Sequence, residues 1–213
     1  MSDPLIKSLP FRLKVWGRNA CFTRPEMKVE RVSYDVMTPS AARGVIEAIL
    51  WKPAIQWKIT QIDVLNPIKW ESVRRNEVGA VMSPRTRGIF IEEQRQQRAG
   101  LFLRDVAYTI HAYFEMTDKA GSEDTIVKFQ EMFLRRAEKG QCFHRPYLGC
   151  REFSADFKPF LNGETLPEPI PVSQDLGWML YDMNYKGTEP TVRFFRASLD
   201  NGRMKIDDKE VRP

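Results

Sequence analysis

Nowhere does the 213-residue chain hold an apolar run near the roughly 20 residues that span a bilayer. Its first ten residues, Met1 to Pro10, carry neither an apolar signal-peptide core nor a cleavage site. The sequence therefore predicts a cytoplasmic protein with no membrane partner. Cysteine is scarce and odd in number. Cys21, Cys142 and Cys150 match no Cys-x-x-Cys spacing, which argues against a disulfide framework and a structural zinc site and leaves three reduced thiols packing as small hydrophobes. Two histidines, His111 and His144, with no clustered carboxylates make a poor metal-ligand set, so no metal or cofactor is expected. A glycine-rich phosphate loop and a Gly-x-Ser-x-Gly elbow are also missing, as are internal repeats.

What is present suits one core-forming chain: 42% hydrophobic residues, 11% aromatic and 29% charged. The formal net charge is +5. Most of it comes from one stretch. Between Lys69 and Arg104 lie eight basic residues (Lys69, Arg74, Arg75, Arg85, Arg87, Arg95, Arg98 and Arg104) against four glutamates, which accounts for four of the five charges. A basic segment of this kind binds polyanions or forms a solvated face.

Phe11 to Trp16 alternates apolar Phe11, Leu13 and Val15 with Arg12, Lys14 and Trp16, the period of a half-buried strand ended by Gly17. Thr38-Pro39-Ser40 opens a helix whose apolar stripe is Ala42, Val45, Ile46, Ile49 and Leu50, and which stops by Lys52 because Pro53 disfavours helix before it. Trp57 to Leu65 and Ala107 to Met116 read as further strands. The basic segment between them, about 67–104, reads as a long insertion with room for a hairpin. Ser122 to Thr125 caps a second helix striped by Ile126, Phe129, Phe133 and Ala137 and stopped at Gly140.

With a short strand over Tyr147 to Phe153, the order becomes βαββαβ, which predicts an α+β, ferredoxin-like domain of the RNA-recognition type over residues 1–153. Residues 154–213 predict a small antiparallel β-sheet domain. Its strands would be Leu176 to Tyr185 and Thr191 to Leu199, joined across Lys186-Gly187-Thr188, with a third at Arg203 to Ile206 and a frayed tail from Asp207. On these registers the open sheet face would show Lys14 and Trp16 beside His111 and Tyr113, aromatics to stack bases and cations to meet phosphates. A covering loop or the C-terminal sheet would equally explain those side chains. The composition also suits metal-free RNA cleavage, in which the RNA supplies its own 2′-hydroxyl and the protein needs a base, an acid and cations.

The blocks Cys21-Phe22-Thr23-Arg24-Pro25-Glu26, Val32-Ser33-Tyr34-Asp35, Pro39-Ser40-Ala41-Ala42-Arg43-Gly44, Trp51-Lys52-Pro53, Arg74-Arg75-Asn76-Glu77 and Gly149-Cys150-Arg151-Glu152-Phe153 resemble the Cas five family of CRISPR systems, subtype d of type I-C loci. The resemblance covers nearly the whole chain. It implies a ferredoxin-like N-terminal domain with a small C-terminal sheet and two jobs. One is cutting the hairpin of precursor CRISPR RNA without metal to leave a 2′,3′-cyclic phosphate. The other is holding the 5′ handle beside the other type I-C surveillance-complex subunits.

The family pattern places Tyr or His before Trp-Lys-Pro and a Lys-His pair in the second helix. Here those positions are Leu50 and Lys128-Phe129, so only the lysine matches. Lys128 is thus expected to support the phosphorane or the leaving group. His111, Tyr113 and His144 are the candidates for the missing base and acid, since histidine's ordinary pKa of about 6.5 suits either role. Lys14, Trp16, Arg24, Arg74, Arg75, Arg85, Arg87, Arg95, Arg98 and Arg145 are the expected RNA contacts. The alternative reading is a non-catalytic subunit holding the 5′ handle. Non-specific binding of duplex DNA is a third.

Overall fold

The computed structural model describes residues 7–85, 87–161, 163–185, 189–207 and 211–212. Strand β1 (Phe11–Ala20) buries Phe11, Leu13 and Val15 on one face, as the period of two requires. Helix α1 (Pro39–Ile49) starts where the Thr38 hydroxyl accepts the Ala41 amide at 3.3 Å, with Pro39 supplying the first helical residue. Strand β2 (Ile55–Val64) follows. Then β3 (Trp70–Val78), the short helix α2 (Ile91–Gln94) and β4 (Arg95–Met116) complete the middle of the chain. Helix α3 (Ile126–Glu138) is capped by Thr125, whose side chain accepts the Lys128 amide, and it ends at Gly140, left-handed at φ 64°.

Strand β5 (Asp156–Pro159) closes the ferredoxin-like unit. The main sheet runs β5-β1-β4-β2-β8, where β8 is Arg203–Lys205, and β3 pairs with the first half of β4. Strands β6 (Gln174–Asn184) and β7 (Thr191–Leu199) form a separate antiparallel pair. Both helices pack on the Phe11 side of the main sheet. Trp57 and Phe114 of the sheet lie 5.2 Å apart, and Phe133 of α3 approaches Phe11 and Trp57 at 4.9 Å each. Each such buried aromatic contributes about 1.5–3 kcal/mol from apolar burial. One hydrophobic cluster joins these residues to Met179, Phe195 and Leu199 of the β6–β7 pair.

Several expectations need correction. The strand expected at 107–116 is 22 residues long, because β4 begins at Arg95 and its first half forms a hairpin with β3, from Trp70 opposite Leu103 to Val78 opposite Arg95. The basic insertion is therefore a β-hairpin arm carrying α2 at its turn. The strand expected at Tyr147–Phe153 is instead a turn held by the Leu148 amide on the Phe153 carbonyl, and the sheet strand follows at β5. Gly149 (φ 83°) makes that turn necessary: a β-carbon there would meet the Cys21 carbonyl oxygen at 2.0 Å.

The third C-terminal strand forms, but as β8 it pairs with β2 in the main sheet, so both β5 and β8 complete that sheet from beyond residue 153. The turn Lys186-Gly187-Thr188 lies outside the described residues, as does most of the expected tail. Arg212, however, exchanges two backbone hydrogen bonds of 2.8 Å with Phe194, so the chain is pinned there.

Candidate RNA-cleavage cleft

Three carbonyls at the end of α1 lack helical partners, and each is met from elsewhere. The Phe143 amide donates to Ala48 (2.8 Å), the Arg136 guanidinium to Ile49 (3.1 Å) and the Trp57 indole to Leu50 (2.9 Å). These bonds dock the loop after α3 against the Trp51-Lys52-Pro53 corner. Between them lies a cavity of about 650 Å³ lined by Trp51, Lys52, Arg136, Phe143, His144 and Tyr147. Phe143 is 91% exposed and Trp51 60%. A second cavity, about 310 Å³, adjoins it through Lys52 and Pro53 and is lined by Lys119, Asp124, Lys128 and Phe129.

Lys128 stands in the first turn of α3, where its ammonium lies 3.0 Å from the Asp124 carboxylate. The Gly121 amide, and after it the Lys128 ammonium, hold the Asp124 carboxyl below the usual carboxylate range. Leu50 and Phe129 are both buried; the Phe129 ring lies 6.3 Å from Phe114 in the core, with its edge forming part of the wall beside Lys128. The apolar residues at the family's catalytic positions thus belong to the packing of their helices. Lys128 and His144 thus line two neighbouring cavities that share Lys52 and Pro53 as a common wall.

His111 and Tyr113 alternate with Ile110, Ala112 and Phe114 along β4 and so face the side of the sheet away from α1 and α3. The sheet separates them from Lys128. His111 Nε2 lies 2.8 Å from Asp63 Oδ2, while the Gln61 amide donates to Asp63 Oδ1 at 2.6 Å. Arg196, Arg203 and Lys205 line a cavity of about 520 Å³ with His111. The Tyr113 hydroxyl donates to Glu115 (3.3 Å) and lies 3.5 Å from Lys7, whose ammonium is pushed up by the hydrogen bond to Glu115 and then by Tyr113.

The register also differs from the expected one: Arg12 stands opposite His111, Lys14 opposite Thr109 and Trp16 opposite Ala107. Thr109 is fully buried on this face. The link from β5 to the β2 edge is tied by Lys158–Glu164 at 3.6 Å and Arg203–Glu168 at 3.4 Å, so cations at both edges already have partners.

The remaining cations divide by environment. Arg74, Arg85, Arg87 and Arg95 are exposed on the hairpin arm, and no carboxylate lies within salt-bridge reach of them among the described residues. Arg75 and Arg98, by contrast, join Arg31 around Glu77 and Glu152, with Arg75–Glu152 at 2.6 Å and Arg31–Glu152 at 3.0 Å. Arg24 lies over the Tyr34 ring at 4.5 Å and donates to the Ser33 carbonyl. Lys14 lies 5.5 Å from the Trp16 ring centroid, and Arg145 is paired with Asp156. Arg24, Arg75, Arg98 and Arg145 therefore have structural employment that a sequence pattern does not reveal.

Sequence reasoning missed Trp51, Lys52, Lys119, Arg136, Phe143 and Tyr147. The available signal was the run Cys142 to Tyr147, four aromatic or cationic side chains in six residues directly after a helix stop. It also missed the thiol pair. The Cys21 and Cys150 thiols flank the Thr23 hydroxyl at 3.4 and 3.8 Å. Each thiol shifts the other, Cys150 down and Cys21 up, with burial adding to the rise at Cys21. Among the described residues no group of three or more His, Cys, Asp or Glu could hold a metal ion, and no helix is long and apolar enough to cross a membrane.

The family model Cas_Cas5d, described as CRISPR-associated protein (Cas_Cas5), matches residues 11–207. A protein of Mannheimia succiniciproducens named CRISPR pre-crRNA endoribonuclease Cas5d is 52% identical, over 92% of this chain and 93% of that relative. A Thermus thermophilus protein of the same name is 48% identical over 82% of this chain and 73% of its own length. In fold, the chain is similar to a crystal structure described as a CRISPR-associated protein, with a TM-score of 0.76 and 23% identity over 99% of this chain and all of that one. A functionally uncharacterized protein of Streptococcus mutans gives 0.74 at 23% identity, again over 99% of this chain and all of that one. With its ferredoxin-like sheet, hairpin arm and matching family model, the chain belongs to the Cas5d family of CRISPR-associated proteins.

Proposed function

We propose that this chain is a pre-crRNA endoribonuclease that cuts the repeat hairpin without metal. It then stays on the 5′ handle as a subunit of a type I-C surveillance complex in the cytoplasm. The observation that carries this reading is the pair of neighbouring cavities at the end of α1, one lined by Lys128 and Lys119, the other by His144, with Lys52 in the wall between them. Such a set suits a reaction in which the substrate brings its own nucleophile.

In this mechanism His144 takes the proton from the 2′-hydroxyl, histidine being the side-chain type suited to that step near neutrality. The 2′-oxygen bonds to the adjacent phosphorus, and the bond from phosphorus to the 5′-oxygen breaks. The products are a 2′,3′-cyclic phosphate and a 5′-hydroxyl, the latter taking a proton from a lysine ammonium or water. Lys128 meets the charge that grows on the non-bridging oxygens. It must exchange Asp124 for the phosphate to do so. The cations of the hairpin arm that have no carboxylate in reach among the described residues, Arg74, Arg85, Arg87 and Arg95, would meet backbone phosphates farther along the RNA.

A second reading, a handle-binding subunit that does not cut, is favoured by one observation: Leu50 and Phe129 are buried core residues. Incubating the purified protein with its own repeat RNA in excess EDTA separates the two. A single cut leaving a cyclic phosphate, lost in His144→Ala, supports the nuclease; tight binding with no cut supports the second reading.

A further inference from the structure

The cavity walled by Trp51, Phe143, His144 and Tyr147 is larger than a phosphate needs and more apolar than a phosphate prefers. At about 650 Å³ it has the dimensions of an organic ligand site. Its walls are aromatic on both sides. Trp51 stands on the corner after α1 and Phe143 on the loop after α3, and the His144 ring lies 6.1 Å from Phe143 and 6.2 Å from Tyr147. Arg136, Lys52 and Glu47 are its charged lining residues; the Glu47 carboxylate is already held by Arg43 at 2.9 Å, which leaves the two cations to meet a ligand, and Lys52 also lines the adjoining cavity that holds Lys128.

Exposed aromatics of this size are unusual where nothing covers them. Two occupants suit such a surface: an apolar segment of a protein partner, or an unstacked nucleobase. The cations favour the base. An apolar partner segment would strand the Lys52 ammonium, whereas a nucleotide offers a π-face to the aromatics and a phosphate to the cations within one residue's length. Arg136 is additionally anchored on the Ile49 carbonyl, so its position at the margin is held before any ligand arrives.

We propose that this cavity is a nucleobase subsite: it takes one unpaired base of the RNA, stacked against Trp51 and Phe143, and so fixes which phosphodiester lies over Lys128. The proposal rests on the nuclease reading for the meaning of Lys128 but not for the binding itself. Unstacking a base costs least outside the duplex, so the occupant belongs to the single-stranded flank of the hairpin.

The test is a binding measurement on the full chain, in EDTA, using repeat RNA made abasic at one flanking nucleotide at a time. The scissile 2′-hydroxyl is replaced by hydrogen so that no cutting intrudes. One abasic position is expected to weaken wild-type binding roughly ten-fold, the scale of losing one base–aromatic stack. Phe143→Ala and Trp51→Ala should each weaken intact RNA similarly and show no further loss with that abasic RNA. Both residues are exposed, and the Phe143 amide bond to Ala48 survives the alanine substitution, so both variants should fold.

If every abasic RNA binds the wild type as well as intact RNA does, and both variants bind normally, the subsite is refuted and the surface belongs to a protein partner. A parallel cleavage assay with unmodified RNA separates the two claims. Cutting without abasic sensitivity removes the subsite alone, and abasic sensitivity without cutting removes the nuclease reading alone.

Discussion

His111 Nε2 lies 2.8 Å from Oδ2 of Asp63, a carboxylate that is only 4% exposed. Taking away the imidazole leaves that buried carboxylate with the Gln61 side-chain amide as its remaining side-chain donor among the described residues. His111→Ala is therefore expected to lose about 1–3 kcal/mol of stability, read by urea denaturation. Cutting by the folded variant should stay within several-fold of wild type. A hundred-fold loss of cutting at full stability would move the chemistry to the open face of the sheet.

Lys128 and Asp124 make a different kind of pair, exposed and exchangeable. Lys128→Ala is expected to slow cutting by about 10²- to 10³-fold, the scale of removing one transition-state donor, while repeat binding stays within several-fold. Wild-type cleavage rates in that variant would remove Lys128 from the mechanism. Asp124→Asn takes away the charge that competes with phosphate and should tighten RNA binding a few-fold at low salt, less at high salt. The carboxyl lies below its ordinary range, so it is ionised in the folded protein at neutral pH, and its hold on Lys128 weakens only as pH falls through that lowered value. Affinity equal to wild type at every salt concentration would show that Lys128 does not face RNA.

Restoring the histidine of the family pattern at position 129 is expected to damage the protein instead of activating it. Phe129 is buried against Phe114, and an imidazole there would lose solvent without gaining a designed partner. Phe129→His should cost about 2–4 kcal/mol, seen as a lowered Tm. An unchanged Tm with faster cutting would show that the site tolerates the imidazole and uses it.

The thiol pair offers a test of charge. Because Cys21, Thr23 and the Arg31 guanidinium favour the Cys150 thiolate, Cys150 should react with iodoacetamide at pH values below the ordinary thiol range, about 8.5, and well before Cys21. Peptide mapping after brief alkylation at pH 7 reads the order. Labelling of Cys21 first would reverse the assigned direction.

How far the sequence could be read follows from what each pattern encodes. Period-two and helical stripes report burial on one face, so Leu13, Ile46, Phe114 and Phe133 were legible as core, and Leu50 and Phe129 with them. Strand β4 was half legible because Gly100 and the Arg95–Arg104 charges resemble a loop. In the structure Gly100 passes beneath the Phe102 ring, and the strand bends at Asp105 (φ 53°), where its partner changes from β3 to β2. Tyr147–Phe153 resembled a strand because alternation carries no record of Gly149 meeting Cys21. The cleft was least legible: Lys52 and His144 lie far apart in the chain and are brought to one cavity by hydrogen bonds to the last carbonyls of α1, donated by the Phe143 amide, the Arg136 guanidinium and the Trp57 indole.

Those bonds have a consequence for divergence. The loop carrying Phe143 and His144 hangs from Ala48 by a main-chain amide, and the helix before it is tied to Ile49 by Arg136, so neither exposed side chain donates to the bonds that hold its frame. Position 143 forms a replaceable reading head on a fixed mount, beside a histidine that the chemistry needs. A library randomised at that one residue, proline excepted because it lacks the anchoring N–H, should yield folded proteins differing in the RNA flank they accept, which makes this corner the natural place to retarget the protein to a foreign repeat.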